Sequence, residues 1–135
     1  MTFVSCQTVR FAHVDAAGIV FYPRYFEMLN AAVEDYFAEV VGVSFAAMHV
    51  ERRVGVPTVK LEAEFVAASR LGDLLDFGLT VERVGDSSAT IKVAVHCGQD
   101  MRFRGQIVLV CMDLDRGRSM SWPADMRPVP APIGD

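Results

Sequence analysis

Residues Phe11–Val41 read FAHVDAAGIVFYPRYFEMLNAAVEDYFAEVV. In the second half of this stretch Phe26, Leu29, Val33, Tyr36/Phe37 and Val40 recur at helical spacing, and Arg24, Glu27, Glu34 and Asp35 fill the opposite face. Pro23 suits a first helical turn and Gly42 a stop, so a helix is predicted from Pro23 to about Val41. Residues 4–12 before it read as a strand, and residues 43–55 after it as irregular or a short helical turn. Only strands follow. Val59, Leu61, Ala63 and Phe65 alternate with Lys60, Glu62 and Glu64; Leu75, Phe77, Leu79 and Val81 alternate with Asp76, Thr80 and Glu82; Ile91, Val93, Val95 and Cys97 alternate with Thr90, Lys92 and His96; each run predicts one buried face. A last strand, roughly Phe103–Leu114, is apolar on both sides and belongs inside a sheet. One helix and about five antiparallel strands make an α+β fold in which the sheet wraps the helix. The other face of such a sheet is open, which favours pairing with a second subunit.

The chain has 135 residues, enough for one domain. It is 52% hydrophobic, yet its longest apolar run is the six residues Ile107–Met112, far short of the ~20 that a membrane-spanning helix needs. The start has neither the basic nor the long apolar region of a secretory signal, so a cytoplasmic location is expected. A net charge of −4, with arginines scattered singly, argues against nucleic acid. Cys6, Cys97 and Cys111 are far apart and read as small buried hydrophobes, and the three histidines are too dispersed for a metal site. Four of the six prolines fall in the last thirteen residues, which separates a Pro-rich tail, 121–135, from a domain over 1–120.

The chemistry concentrates in the connector between the first strand and the helix. It is apolar for a surface loop and holds one fixed negative charge, Asp15. The helix start presents backbone N–H groups toward it, which attract a charge developing on a carbonyl oxygen. A carboxylate in an apolar pocket is poorly solvated and reactive. Together these are parts of an acyl-transfer site: N–H groups for the oxyanion, and a nucleophile or base. Gly18 lets the chain turn without a side chain in the way. Asp15 lies too far ahead of Pro23 for an N-cap, but a structural aspartate in a tight turn stays open as the alternative.

The run Val14-Asp15-Ala16-Ala17-Gly18-Ile19-Val20-Phe21-Tyr22-Pro23-Arg24-Tyr25-Phe26 resembles the signature of the 4-hydroxybenzoyl-CoA thioesterase family of hotdog-fold enzymes. Gly55-Val56-Pro57-Thr58-Val59 and the Leu71-Gly72-Asp73 turn resemble that family too, so the likeness covers most of residues 5–115. It implies an acyl-CoA thioesterase acting on an aryl- or short-acyl-CoA, with no metal or redox cofactor, CoA being part of the substrate. Asp15 matches the catalytic carboxylate and the Tyr22 backbone N–H the group that polarises the thioester oxygen. Gly18 and Ile19 match the turn that shapes the pocket. Pro57, Thr58 and Val59 match the strand start beside the pantetheine arm. Phe21 and Pro23 belong to the substrate-facing set, and Asn30 stands where the hydroxybenzoyl branch has an acidic residue. The resemblance also implies a homodimer or homotetramer with an active site shared across the dimer.

Two features depart from the family pattern. The turn Gly85-Asp86-Ser87-Ser88 has only Arg83 and Lys92 near it to hold CoA phosphates, leaving Arg52, Arg53, Arg70, Arg102 and Arg104 as alternatives. Asn30 puts 4-hydroxybenzoyl-CoA itself in question. Other readings stay open: a non-catalytic hotdog protein that binds acyl groups or a partner, and a hotdog hydratase using His13 with Asp15. Glu34 is the reserve carboxylate if Asp15 is not used.

Overall fold

Each alternating run downstream of the helix becomes a strand in the computed structural model, which describes residues 2–130. In chain order, β1 (Phe3–Thr8) leads to α1 (Pro23–Tyr36), which runs on as a π-helical turn, Phe37–Val41. A second π-helical segment, Ala46–Glu51, precedes β2 (Val54–Gly55), β3 (Thr58–Phe65), β4 (Leu74–Val84), β5 (Ser88–Cys97), β6 (Asp100–Val110), β7 (Met112–Asp113) and β8 (Arg118–Ser119). Five strands form one antiparallel sheet in the order β1-β4-β5-β6-β3, and β2, β7 and β8 form a small second sheet. The expected helix thus spans Pro23 to Val41, and Gly42 ends it at φ 91°, a left-handed conformation that glycine adopts without cost.

The first strand is shorter than its apolar pattern suggested. Val9 still pairs with the turn ahead of β4, through Val9 N–H to Asp73 C=O at 2.8 Å, but residues Phe11–His13 coil into a 3₁₀ turn. That turn is fixed locally, because the Arg10 N–H donates to His13 Nδ1 at 2.8 Å. The expected last strand also divides: Cys111 leaves the β6 ladder to accept from Met120 and donate to Ser87, and β7 joins the small sheet.

α1 buries Tyr25, Met28, Leu29, Ala32, Val33 and Tyr36 against Leu75, Phe77, Leu79, Val81, Ile91, Val93, Val95, Phe103, Ile107 and Leu109 of the sheet. Each fully buried side chain of this size contributes about 1.5–3 kcal/mol of hydrophobic stabilisation. Phe26, read as one of the apolar-stripe positions, is only half-buried.

β3 departs from the expected one-sided burial. Val59 is 58% exposed, Leu61 40% and Phe65 46%, although their register with Ile107 and Phe103 puts Leu61 and Phe65 on the helix side of the sheet. The cause is geometric. A helix is about 10–12 Å across, whereas five strands at about 4.8 Å spacing make a wider sheet, so an edge strand falls outside its cover. The opposite face of the sheet, expected to be the open one, is charged, with Arg104 paired to Glu64 at 3.0 Å and Gln106 donating to Glu82 at 3.1 Å. The β3 edge, with Val59, Leu61, Phe65 and the following Val66, thus carries a run of exposed apolar side chains. Of the cysteines, Cys111 is buried, with its thiol pushed up to about 11 by desolvation, whereas Cys6 is exposed on the outward side of β1.

The Pro-rich segment packs on the domain through residue 130; Pro132 and the rest of 131–135 lie outside the described residues. Trp122, Met126 and Pro128 are buried. The Trp122 indole stacks on Phe37 and donates through Nε1 to the Ser88 carbonyl at 3.1 Å, and the Val129 N–H donates to the Tyr36 hydroxyl at 3.2 Å. Residues 121–130 thus close the end of α1. Trp122→Ala is expected to lower the unfolding free energy by about 3–5 kcal/mol in urea titrations, and an unchanged midpoint would make this segment a passive appendage.

Candidate active site

The connector that carries Asp15 is a miniature hairpin. The Phe21 N–H donates to His13 C=O at 3.0 Å, Val14 bridges Val20, and the Asp15 N–H donates to Ile19 C=O at 2.9 Å. Its tip is closed by the Gly18 N–H to Asp15 C=O at 2.9 Å, with Gly18 at φ 78°, where any other residue would be strained. Val14 and Val20 face the core. Asp15 lies on the alternate side and is exposed. One carboxylate oxygen, Oδ1, accepts from the Ala17 N–H at 2.9 Å, which orients the group, and Oδ2 has no partner among the described residues.

A polar clamp holds the hairpin from beneath. The Val20 N–H donates to Ser69 C=O at 2.9 Å, and Ile19 bridges Arg70. Buried Ser69 accepts from the Tyr25 hydroxyl at 2.8 Å, tying the hairpin to the first turn of α1. The Asp73 carboxylate accepts from the Arg70 N–H at 2.9 Å and from the Arg102 guanidinium at 2.8 Å, and Arg102 also reaches the Ala68 carbonyl. These bonds, the Arg70 amide first and Arg102 second, hold the Asp73 carboxyl below its ordinary value of 3.8. Sequence patterning marked the Leu71-Gly72-Asp73 turn but not this clamp, whose partners come from three separate segments.

At the start of α1 the supply of free N–H groups is smaller than a generic helix end offers. Pro23 has none. The Arg24 N–H closes on Phe21 C=O at 2.8 Å and the Tyr25 N–H on Tyr22 C=O at 3.2 Å. Among the described residues, the Tyr22 N–H is the amide left without a partner at this end. Around it stand aromatic rings: Phe21 at 5.5 Å and Phe65 at 6.0 Å from the Tyr22 ring. Phe21 is 46% and Tyr22 58% exposed.

The predicted residues therefore fall into two groups. Asp15, Gly18, Ile19, Phe21, Tyr22 and Pro23 are brought together at the hairpin and helix start. Asn30, Pro57 and Thr58 meet elsewhere, along a groove of about 750 Å³ between α1 and the β2–β3 segment, which Glu27, Glu34 and His49 also line. Val59 joins neither group and is exposed at a bulge in β3. The apolar enclosure expected around Asp15 is absent in the single chain, because the strand beside the hairpin is the uncovered β3 edge. His13 borders a separate cleft of about 280 Å³ with Arg24 and Glu27, and its carbonyl and ring both serve the local turn. Of the arginines considered for phosphates, Arg52, Arg53, Arg102 and Arg104 are ion-paired to Asp125, Asp115, Asp73 and Glu64. Arg70 has no such partner among the described residues. No described helix is long and apolar enough to cross a membrane.

A model of the thioesterase-like superfamily matches residues 9–129. The chain is 37% identical over 70 residues to a 4-hydroxybenzoyl-CoA thioesterase from Pseudomonas sp., covering 51% of this chain and 50% of that protein. It is 24% identical over 89 residues to a 1,4-dihydroxy-2-naphthoyl-CoA hydrolase from Crocosphaera subtropica, covering 66% and 64%. The matches thus span half to just under two thirds of these relatives. A crystal structure of a 4-hydroxybenzoyl-CoA thioesterase variant bound to 4-hydroxybenzoyl-CoA superposes with a TM-score of 0.81 at 28% identity, over 93% of this chain and 95% of that one.

Loss of the clamp is measurable. Asp73→Asn is expected to cost about 1–3 kcal/mol at neutral pH. Because the folded carboxyl titrates lower than the unfolded one, its contribution is present above pH 3.8 and lost as pH falls through the lower folded value. Denaturation of wild type and variant across pH 2–7 checks this: the two curves should converge only at the acid end.

Proposed function

The chain belongs to the thioesterase-like superfamily and has its hotdog fold, and on that footing we propose that it hydrolyses an aryl- or short-acyl-CoA thioester to the free carboxylate and CoA. The single observation that carries this is that one connector holds both an oriented carboxylate, Asp15, and an amide without a partner among the described residues, Tyr22 N–H at the start of α1. The amide donates to the thioester carbonyl oxygen as negative charge builds on it. Asp15 either attacks the carbonyl carbon, expelling the CoA thiolate to leave an anhydride that water cleaves, or takes a proton from the attacking water. Both routes consume one water and release carboxylate and thiol. The two named relatives, which act on 4-hydroxybenzoyl-CoA and 1,4-dihydroxy-2-naphthoyl-CoA, support an aromatic acyl group.

A second copy completes the site in this proposal. The apolar side chains of β3 (Val59, Leu61, Phe65) and the neighbouring Val66 are exposed, and β3 also offers an unpaired backbone edge. Edge-to-edge pairing of β3 with β3 of another copy covers those side chains. It sets the hairpin of one subunit facing the groove of the other, desolvates Asp15, and brings Asn30, Pro57 and Thr58 to the acyl and pantetheine portions of the ester.

Release of free thiol from a panel of aryl- and alkyl-CoA esters tests the activity. Asp15→Asn is expected to lower kcat by about 10²–10⁴-fold, whereas Tyr22→Phe, which keeps the backbone N–H, stays within a few-fold of wild type. Equal activity in Asp15→Asn would remove the carboxylate from the reaction, and inactivity of the wild type on every ester would favour an acyl-binding protein. Leu61→Asp is expected to shift the protein to monomer in sedimentation velocity and to abolish turnover together; an active monomer refutes the shared site.

A further inference from the structure

The turn that leads into the Asp15 hairpin is closed by an imidazole. In the 3₁₀ turn Phe11–His13, Arg10 stands at the N-cap in extended conformation, and the two ends meet twice. The His13 N–H donates to Arg10 C=O at 2.9 Å, and the Arg10 N–H donates to His13 Nδ1 at 2.8 Å. A ring nitrogen thus takes the part that a glutamate carboxylate plays in a capping box. A backbone N–H only donates, so Nδ1 is unprotonated here and the neutral ring carries its proton on Nε2. A second proton on the ring goes to Nδ1, where it faces the Arg10 N–H donor to donor. Protonation therefore breaks this bond outright.

The place of the bond gives it a consequence. The His13 carbonyl accepts from the Phe21 N–H at 3.0 Å, the rung at which the two arms of the hairpin first meet. Asp15 lies two residues beyond His13 on one arm, and Tyr22 follows Phe21 on the other. One residue thus closes the turn with its ring and joins the arms with its carbonyl. The ring is half-buried and borders the cleft between the connector, β1 and α1. The charged side chains lining that cleft with it are Arg24 and Glu27 of α1, which are paired to each other at 2.6 Å. From β1 comes Gln7, which is uncharged and donates to the Met28 carbonyl at 2.8 Å. On the connector itself the neighbouring charges are those of Arg10 and Asp15.

Resting on the thioesterase reading, we propose that His13 is a positioning residue whose neutral ring holds Asp15 and the Tyr22 amide in their working arrangement, so that turnover falls when the ring gains a proton. Histidine changes charge between about pH 8 and 5. At the upper end of that range Nδ1 accepts, the turn is closed and the Phe21 rung is supported. At the lower end the turn loosens at Arg10, and the carboxylate and the amide are no longer held by one rigid connector. The ring acts through the turn and touches no reacting atom, so its protonation lowers kcat and leaves KM nearly unchanged.

The test measures kcat and KM between about pH 5 and 9 on benzoyl-CoA, 4-hydroxybenzoyl-CoA and butyryl-CoA. Wild-type kcat is expected to fall about tenfold from the alkaline to the acid end, the effect of losing one well-made hydrogen bond, while KM stays within a few-fold. His13→Asn sets an acceptor oxygen where Nδ1 was and does not titrate, so it should keep most of the alkaline kcat and lose the acid fall. His13→Leu has no acceptor and should run near the wild-type acid level at every pH. In ¹H–¹⁵N spectra of the wild type, the Arg10 and Phe21 amide signals should move together as the ring titrates, and stay still in His13→Asn. An acid fall unchanged in His13→Asn, a His13→Leu enzyme as fast as wild type at the alkaline end, or a Phe21 signal indifferent to the ring overturns the role of His13 and leaves the thioesterase reading standing. A His13→Asn enzyme as slow as His13→Leu also overturns it, in favour of a ring that acts on the substrate directly. Failure of the wild type to hydrolyse any of the three esters overturns both.

Discussion

The candidate site depends on a single backbone amide that the fold leaves unpaired. Proline at the first position of α1 contributes no N–H, and the two amides that follow turn back onto Phe21 and Tyr22. What remains is the Tyr22 N–H, fixed in direction by the helix behind it and by a hairpin that docks on Ser69 in front. An unpaired amide is costly when buried and useful when a developing anion can reach it. Asp15 is held at the tip of the same hairpin by one of its own oxygens, so neither group has to be assembled when substrate arrives. Preorganisation of this kind is where most of the barrier reduction in acyl transfer originates.

The second constraint is width. One helix covers the middle of a five-stranded sheet and leaves β3 with apolar side chains in water. Both halves of the candidate site border that uncovered strand: the hairpin approaches through Phe65 and Tyr22, and the groove begins at Thr58. The same geometric shortfall that leaves an apolar edge therefore leaves the site open, and in the proposed dimer a single contact surface closes both.

Much of this was legible in the residues alone. Pro23, the apolar stripe and Gly42 fixed the bounds of the helix, and three alternating runs placed β3, β4 and β5. The Asp15-to-Tyr22 string marked the connector that carries the site, but not that it folds as a hairpin. Alternation reports which side chains share a face but not what lies over that face, so β3 looked as buried as β4. The Pro-rich segment excluded regular structure correctly, yet the Trp122 and Met126 side chains that bind it to the core carry no periodicity to reveal them. The Asp73–Arg102 clamp arises only from long-range packing. Cys6, which reads as buried, is exposed for a related reason: one residue of register decides whether a strand side chain faces the core.

Diffraction from the Asp15→Asn protein holding an intact hydroxybenzoyl-CoA bears most directly on the pairing of carboxylate and amide. The thioester carbonyl oxygen should lie about 3 Å from the Tyr22 nitrogen, with the side chain at position 15 against the carbonyl carbon inside a cleft closed by a second subunit. A thioester bound away from the start of α1, with position 15 in open solvent, would contradict that pairing.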